Sequence, residues 1–187
     1  MGEDKRHLVV GEQTLLERGL AVLQSTFREV LVVIAQDSPP LGVDARVVRD
    51  LVPDCGSLGG LYTGLMQATT PYIFVVACDM PFLNQPVIAQ FTSRTAIADI
   101  VMAKLDGRLH PMHALYSKRC VPALEKMIRA RQLKIQEIVS ELSLRVRYVT
   151  EADLLTIDPS GRSFYNVNTM ADLEAARSLL ARIPSLD

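Results

Sequence analysis

No apolar run in this sequence approaches the roughly 20 residues that a membrane-spanning helix requires. One of the longest, Val30 to Ala35, has six residues, the length of a strand. An excess of positive charge is also missing: 20 Lys and Arg stand against 21 Asp and Glu, a formal net charge of −1. Neutralising a nucleic-acid backbone needs such an excess, so a binder that works through bulk charge is excluded. Cysteines number only three, Cys55, Cys78 and Cys120, an odd count without CxxC or Cys/His ligand spacing. A disulfide framework and a structural zinc site are both disfavoured, and a reducing cytoplasm is the expected setting. Lys5 and Arg6 precede too few apolar residues for a secretory leader. Neither a Walker GxxxxGK motif nor a GxGxxG fingerprint occurs, so no P-loop or dinucleotide motif is available. No Ser/His/Asp or Cys/His set with a local signature supports a covalent hydrolase. Repeats, low-complexity tracts and long linkers are absent.

What is present is an ordinary globular composition. Hydrophobic residues make up 49% and charged residues 22% of 187 positions, which fits one domain spanning residues 1–187. A chain of this size buries about 70% of its unfolded surface and needs no staples. Short β-rich runs alternate with helical periodicity. Helices are predicted over Gln13–Ser25, Leu58–Ala68, a segment capped by Asn84 with Pro86 in its first turn, Val121–Ala130, Ile135–Leu142, and a segment opened by Thr169 with Asp172 three residues on. Strands are predicted over Val30–Ala35, Ala45–Val48, Tyr72–Ala77, Asp99–Lys104, His113–Tyr116, Val146–Val149 and Phe164–Val167. Val30–Ala35 has the continuous apolar pattern of a strand buried on both faces. The alternation predicts an α/β fold with a mostly parallel sheet and flanking helices.

In such sheets ligands bind beyond the carboxyl ends of the strands. Asp79 stands just past the most apolar strand, in a Cys78-Asp79-Met80-Pro81 turn. There it can hold Mg²⁺ through oxygen, or simply cap the strand as an Asx-turn. Gly2 with Lys5 can approach and neutralise phosphate, or form a solvated tail. Gly56-Ser57-Leu58-Gly59-Gly60 opens a helix whose free N–H groups suit an anion or a base edge, or else makes a tight packed turn. Asn166 and Asn168 alternate about Val167, so both side chains can face one polar ligand, although Asn and Thr also cap helices. His110 and His113 differ in parity along an extended segment, which places the imidazoles on opposite faces and argues against a zinc pair.

These motifs, in this order, resemble the molybdenum cofactor guanylyltransferases, which join GMP from GTP to molybdopterin. The resemblance runs from Met1 to about Ala181. It is carried by Met1-Gly2-Glu3-Asp4-Lys5, by Asp50 with the Gly56–Gly60 loop, and by Cys78-Asp79-Met80-Pro81. It continues through His110-Pro111 with Ala114-Leu115-Tyr116, and through Asn166-Val167-Asn168-Thr169 followed by Asp172-Leu173. It implies a Rossmann-like sheet of the nucleotide-diphospho-sugar transferase type. It also implies that Gly2 and Lys5 contact nucleotide phosphates, Asp50 and Gly56 lie in the guanine pocket, and Asp79 ligates Mg²⁺. Lys5 and Asp79 would be the catalytic pair, and Asn166 and Asn168 would face molybdopterin. The product would pass to molybdoenzymes in the cytoplasm.

Three departures accompany the resemblance. Ser57 replaces the family's usual proline. Val33 stands near a base-pocket asparagine of some members, which weakens the case for guanine and keeps a cytidylyltransferase as the alternative. The family signature also begins upstream with a strand and a Leu-Ala-Gly-Gly-x-Ser-x-Arg loop, whereas this sequence starts at that motif's Met-Gly. The expectation is therefore that Met1 is an internal methionine of a longer protein. The 187-residue form is then expected to bind GTP weakly at best, and a cofactor-binding remnant without turnover is the reading from a different class.

Overall fold

The computed structural model describes residues 8–182. The described chain opens as a small hairpin, β1 (Val9–Val10) against β2 (Gln13–Thr14). Helix α1 (Leu15–Thr26) starts where its sequence dictates. The Thr14 hydroxyl accepts from the Glu17 backbone N–H at 3.2 Å, and the Glu17 carboxylate accepts from the Thr14 N–H at 2.8 Å, a reciprocal capping box. Leu15, Leu16 and Leu20 are its buried stripe.

The apolar runs then alternate with helices as expected. β3 (Leu31–Ile34) pairs in parallel with β4 (Arg46–Arg49). Next come α2 (Gly56–Gln67), β5 (Tyr72–Val76) and α3 (Gln85–Thr92), and then the hairpin β6 (Ile100–Leu105) and β7 (Arg108–Ser117). The order continues with α4 (Val121–Arg129), a 3₁₀ segment (Ile135–Ser140), β8 (Val146–Val149), α5 (Glu151–Leu154), a second 3₁₀ turn (Arg162–Phe164) and α6 (Met170–Leu180). The fold is α/β with helices flanking a mixed sheet. Strand order is β5-β7-β6-β8 in one sheet and β3-β4 in another. β7 runs antiparallel to both β5 and β6, while β8 is parallel to β6. The mixture follows from two residues. Asp106 and Gly107 both adopt positive φ, 49° and 73°, the backbone of a two-residue hairpin turn. A turn that short permits only antiparallel pairing.

β6 and β7 are the centre of the core. Ile100, Met102, Ala114 and Tyr116 pack with Leu58, Leu61 and Leu65 of α2 and Leu124 of α4. Their neighbours Val101, Ala103 and Leu115 face the other way, onto Val87 and Phe91 of α3 and onto Phe164. This period of two buries both faces, so these strands read as continuous apolar runs. At the end of β6, the Asp99 carboxylate is fully buried and accepts from the Arg145 backbone N–H (2.9 Å) and guanidinium (3.2 Å). The bond to Arg145 holds its carboxyl below the usual range.

Four expectations need correction. Phe164–Val167 is not a strand. Arg162–Phe164 forms a 3₁₀ turn, and Val167 spends its N–H on the carbonyl of Asp79 at 2.9 Å rather than on a ladder. Ile135–Leu142 is a 3₁₀ segment that ends at Ser140. Val30–Ala35 is not buried on both faces, because only Ile34 in β3 is buried and the other three strand residues are half-exposed. Finally, His110 and His113 share a face. The β6–β7 register passes from Met102↔Ala114 to Ala103↔His110, so residues 111–113 bulge out of the ladder and the parity count fails. The bulge is held by the Tyr116 hydroxyl, which donates to the Pro111 carbonyl at 2.8 Å, and by the Ala77 N–H, which donates to Met112.

No helix among the described residues is long and apolar enough to cross a membrane. Cys55 and Cys120 are buried and Cys78 is exposed, and none of the three is in a disulfide.

Candidate functional site

Two groups of residues gather beyond the carboxyl ends of the strands. The first is built on β5. After Val76 the chain turns through Cys78, Asp79 and Met80, and Met80 is buried while Asp79 stays partly open. The turn is fastened from two sides. Val167 N–H donates to the Asp79 carbonyl at 2.9 Å, which brings Asn166 and Asn168 beside Asp79. Arg18 of α1 donates from Nε to the Pro81 carbonyl at 3.3 Å and from Nη1 to the Val10 carbonyl at 3.4 Å. Val167 is buried, whereas Asn166 is half-buried and Asn168 exposed. Asn166 donates to the Phe164 carbonyl at 3.3 Å. The backbone N–H groups of Asn168 and Thr169 both donate to the Asp172 carboxylate, at 2.9 and 2.7 Å, which ties this segment to the start of α6.

The second group lies between the end of β4 and the start of α2. Asp50 Oδ1 accepts from the Thr63 hydroxyl at 2.7 Å and from the Val52 N–H at 3.0 Å. Thr63 is fully buried and accepts in turn from Leu51 N–H at 2.9 Å. Asp50 therefore clamps the first turns of α2 to the end of β4. Gly56, the first residue of that helix, sits at φ +52° with open space where a side chain would stand. Cys55 before it makes no side-chain cap, and no acidic residue occupies the first turn. Among the described residues this start therefore has no side-chain cap from its N-cap residue, and N–H groups at a helix start suit an outside acceptor. Asp50, Gly56 and Cys78 line one cleft of about 1220 Å³, which connects the two groups. Gly2 and Lys5 lie outside the described residues.

Three contributors escaped the sequence reading. Thr63 had a signal, a hydroxyl between Leu61 and Leu65 on the apolar side of α2. Arg18 had none, since an arginine on an amphipathic helix reads as a solvated residue. Arg131 places Nη1 3.9 Å from Cys55 Sγ, next to the glycine loop, and nothing in its local sequence marks it.

The histidines do not form a metal pair. Their rings both pack on Phe164, with centroids 5.2 Å away for His110 and 4.3 Å for His113. His113 also contacts Phe74 and Phe91. Burial pushes its pKa down to about 3, and burial also lowers that of His110, so both imidazoles are neutral at pH 7. Among the described residues no group of three or more His, Cys, Asp or Glu gathers as a metal cage. A single carboxylate nevertheless suits Mg²⁺ at a phosphoryl-transfer centre, where one or two carboxylates share the ion with substrate phosphates and water. Asp79 fits that donor set.

The MobA-like NTP transferase domain family matches residues 1–146. A "Probable molybdenum cofactor guanylyltransferase" of Pelotomaculum thermopropionicum is 33% identical over 177 residues, which covers 95% of this chain and 85% of that protein. A molybdenum cofactor guanylyltransferase of Desulfosudis oleivorans is 31% identical over 185 residues, covering 96% of this chain and 88% of that protein. Among solved structures, molybdopterin-guanine dinucleotide biosynthesis protein A from Archaeoglobus fulgidus shares the fold. Its TM-score is 0.81 at 24% identity, over 97% of this chain and 93% of that one. A mixed α/β sheet with its polar groups gathered beyond the strand ends, together with these relatives, shows that the chain belongs to the MobA-like NTP transferase family and is a nucleotidyltransferase.

Proposed function

We propose that the chain transfers GMP from GTP to molybdopterin and releases pyrophosphate. A phosphate oxygen of molybdopterin attacks the α-phosphorus of GTP in line. The bond from that phosphorus to the oxygen bridging the β-phosphate breaks, and pyrophosphate carries the charge away. Two polyanions have to meet, so the protein's work is positioning and charge neutralisation rather than supply of a nucleophile.

The observation that carries this reading is the single backbone bond from Val167 to Asp79. It joins a metal-competent carboxylate to the Asn166–Asn168 segment in a chain whose relatives are named guanylyltransferases. In this reading Asp79 holds Mg²⁺, which when bound neutralises charge on the transferring phosphate. Gly2 and Lys5 bind the nucleotide phosphates. The uncapped start of α2 at Gly56 offers N–H donors to the nucleotide, and Asp50 fixes that turn. Asn166 and Asn168 contact molybdopterin. Molybdoenzymes are the recipients of the product, and three cysteines outside any disulfide suit work in the cytoplasm.

The test is pyrophosphate release with saturating GTP, molybdopterin and Mg²⁺, compared with CTP. Release that requires Mg²⁺ and molybdopterin, prefers GTP and vanishes in Asp79→Ala supports the reading. Preference for CTP, or release indifferent to Asp79→Ala, contradicts it.

A further inference from the structure

Two arginines from different helices hold consecutive carbonyls of β1. Arg18 of α1 donates from Nη1 to the Val10 carbonyl at 3.4 Å, and Arg177 of α6 donates from Nε to the Val9 carbonyl at 3.1 Å. Their second bonds differ. Arg18 Nε donates to the Pro81 carbonyl at 3.3 Å, in the turn that carries Asp79. Arg177 Nη1 turns back to Glu174 of its own helix at 2.5 Å. Arg18 therefore joins β1 to the Asp79 turn, and Arg177 does not.

β1 and the Asp79 turn also share a small core of their own. Val10, Leu15, Val167 and Leu173 are buried together, with Phe82 and Tyr165 packed against them. The rings of Phe82 and Tyr165 stand 6.0 Å apart. This cluster is distinct from those on the two faces of β6 and β7. It gathers β1, which follows Lys5 in the sequence, the end of the Asp79 turn, and the segment that holds Asn166 and Asn168. Apolar packing is non-directional, so it keeps these segments together without fixing their spacing. Arg18 supplies the directional part. It is half-buried, and among the described residues its hydrogen-bond partners are neutral carbonyls rather than a carboxylate. A guanidinium is a rigid planar fork of N–H donors, so two carbonyls bound to it are held at one separation.

We propose that Arg18 is a positioning residue for nucleotidyl transfer. It fixes the segment that follows Gly2 and Lys5 against the turn that carries Asp79. The groups that bind the nucleotide phosphates and the carboxylate that holds Mg²⁺ thereby stay in register. This inference rests on the roles proposed above for Gly2, Lys5 and Asp79. Leu16 and Gly19 beside Arg18 line the large cleft and Arg18 does not, so it acts through the backbone of the Asp79 turn and not by touching a substrate. In-line displacement is sensitive to alignment, and a misplacement of about 1 Å caused far from the reacting atoms can cost roughly 100-fold in rate.

The test compares Arg18→Gln and Arg18→Lys with Arg177→Gln in the 187-residue chain. The first readout is amide exchange at Val167, whose N–H is bound to the Asp79 carbonyl. It should speed up roughly tenfold or more in both Arg18 variants and hold steady in Arg177→Gln, while the amides of β6 and β7 stay protected. The second readout is turnover with GTP, molybdopterin and Mg²⁺. Arg18→Gln should lower kcat roughly tenfold to 100-fold and raise the Mg²⁺ concentration needed for half the maximal rate, with KM for molybdopterin within about twofold of the parent. Arg18→Lys should fall with it, because an ammonium keeps the charge but not the fork. Parent exchange at Val167 in the Arg18 variants, parent turnover in Arg18→Lys, or an equal loss in Arg177→Gln overturns the proposal. A parent chain that transfers no GMP contradicts the transferase reading instead, and exchange at Val167 still decides whether Arg18 holds the Asp79 turn.

Discussion

The carboxylate of Asp50 fills the space where a side chain on Gly59 would stand. A Cβ built on Gly59 meets Asp50 Oδ2 at 2.7 Å and the Val52 carbonyl at 2.8 Å. The neighbour is partly backbone, and the carboxylate is itself held by Thr63. Neither gives way cheaply. Gly59→Ala is expected to lower stability by about 1–3 kcal/mol through overpacking, read as a lower urea midpoint. Gly60→Ala meets nothing within 4 Å, and should be neutral or up to about 1 kcal/mol more stable from helix propensity alone. Equal effects at both positions would refute the clamp.

Asp79→Asn keeps the backbone carbonyl that binds Val167 and removes the negative charge. The fold should survive, with an unchanged circular dichroism spectrum and melting temperature. Turnover is expected to fall roughly 100-fold or more, because charge stabilisation at the transferring phosphate is lost. A variant with near-native turnover would remove Asp79 from the site.

His113 gives the protein an acid-sensitive core. Its imidazole sits among Phe74, Phe91 and Phe164, and its pKa is lowered from 6.5 to about 3. Between those values the unfolded chain binds a proton that the folded chain refuses. Stability should therefore fall as pH drops below about 6.5, by at most about 1.4 kcal/mol per pH unit. His110, lowered in the same direction, adds to the slope. Asp99 acts later. Its carboxyl is lowered, so its contribution is present above the unfolded carboxylate pKa of about 3.9 and lost below that. Urea midpoints measured from pH 7 to pH 4 should show a shallower slope in His113→Gln than in the parent. An unchanged slope would mean that His113 accepts a proton in the folded state.

Asp172 serves two positions at once. It completes the capping box with Thr169 and holds the Asn168 N–H. Asp172→Ala should cost about 1 kcal/mol in stability as a lost cap. It should also raise KM for molybdopterin more than for GTP, since it loosens the Asn166–Asn168 segment. An equal rise in both constants would separate that segment from the acceptor.

Much of this was legible in the sequence where the signal is local. Thr169 with Asp172 specifies a helix start within four residues, and that start formed as a capping box. The turn that holds Asp79 was legible because Pro81 cannot continue a central ladder, and β5 does stop before it, at Val76. The failures are non-local. Nothing near His110 announces that residues 111–113 leave the ladder, because the Tyr116 hydroxyl and the Ala77 N–H that hold them come from elsewhere. Val30–Ala35 has the composition of a doubly buried strand, but burial depends on what lies beside its edge, and β5 stands across a cleft. Val167 looked like part of a strand because β-branched alternation does not reveal which carbonyl will accept its N–H.

Base and acceptor selectivity form the centre of the functional account. The most direct measurement is the formation of the guanine dinucleotide cofactor from molybdopterin, Mg²⁺ and equal amounts of GTP and CTP, with the product identified by mass spectrometry. The account predicts the guanylyl product, formed with one pyrophosphate per product and absent with Asp79→Ala. A cytidylyl product, or no nucleotide joined to molybdopterin at all, would contradict it.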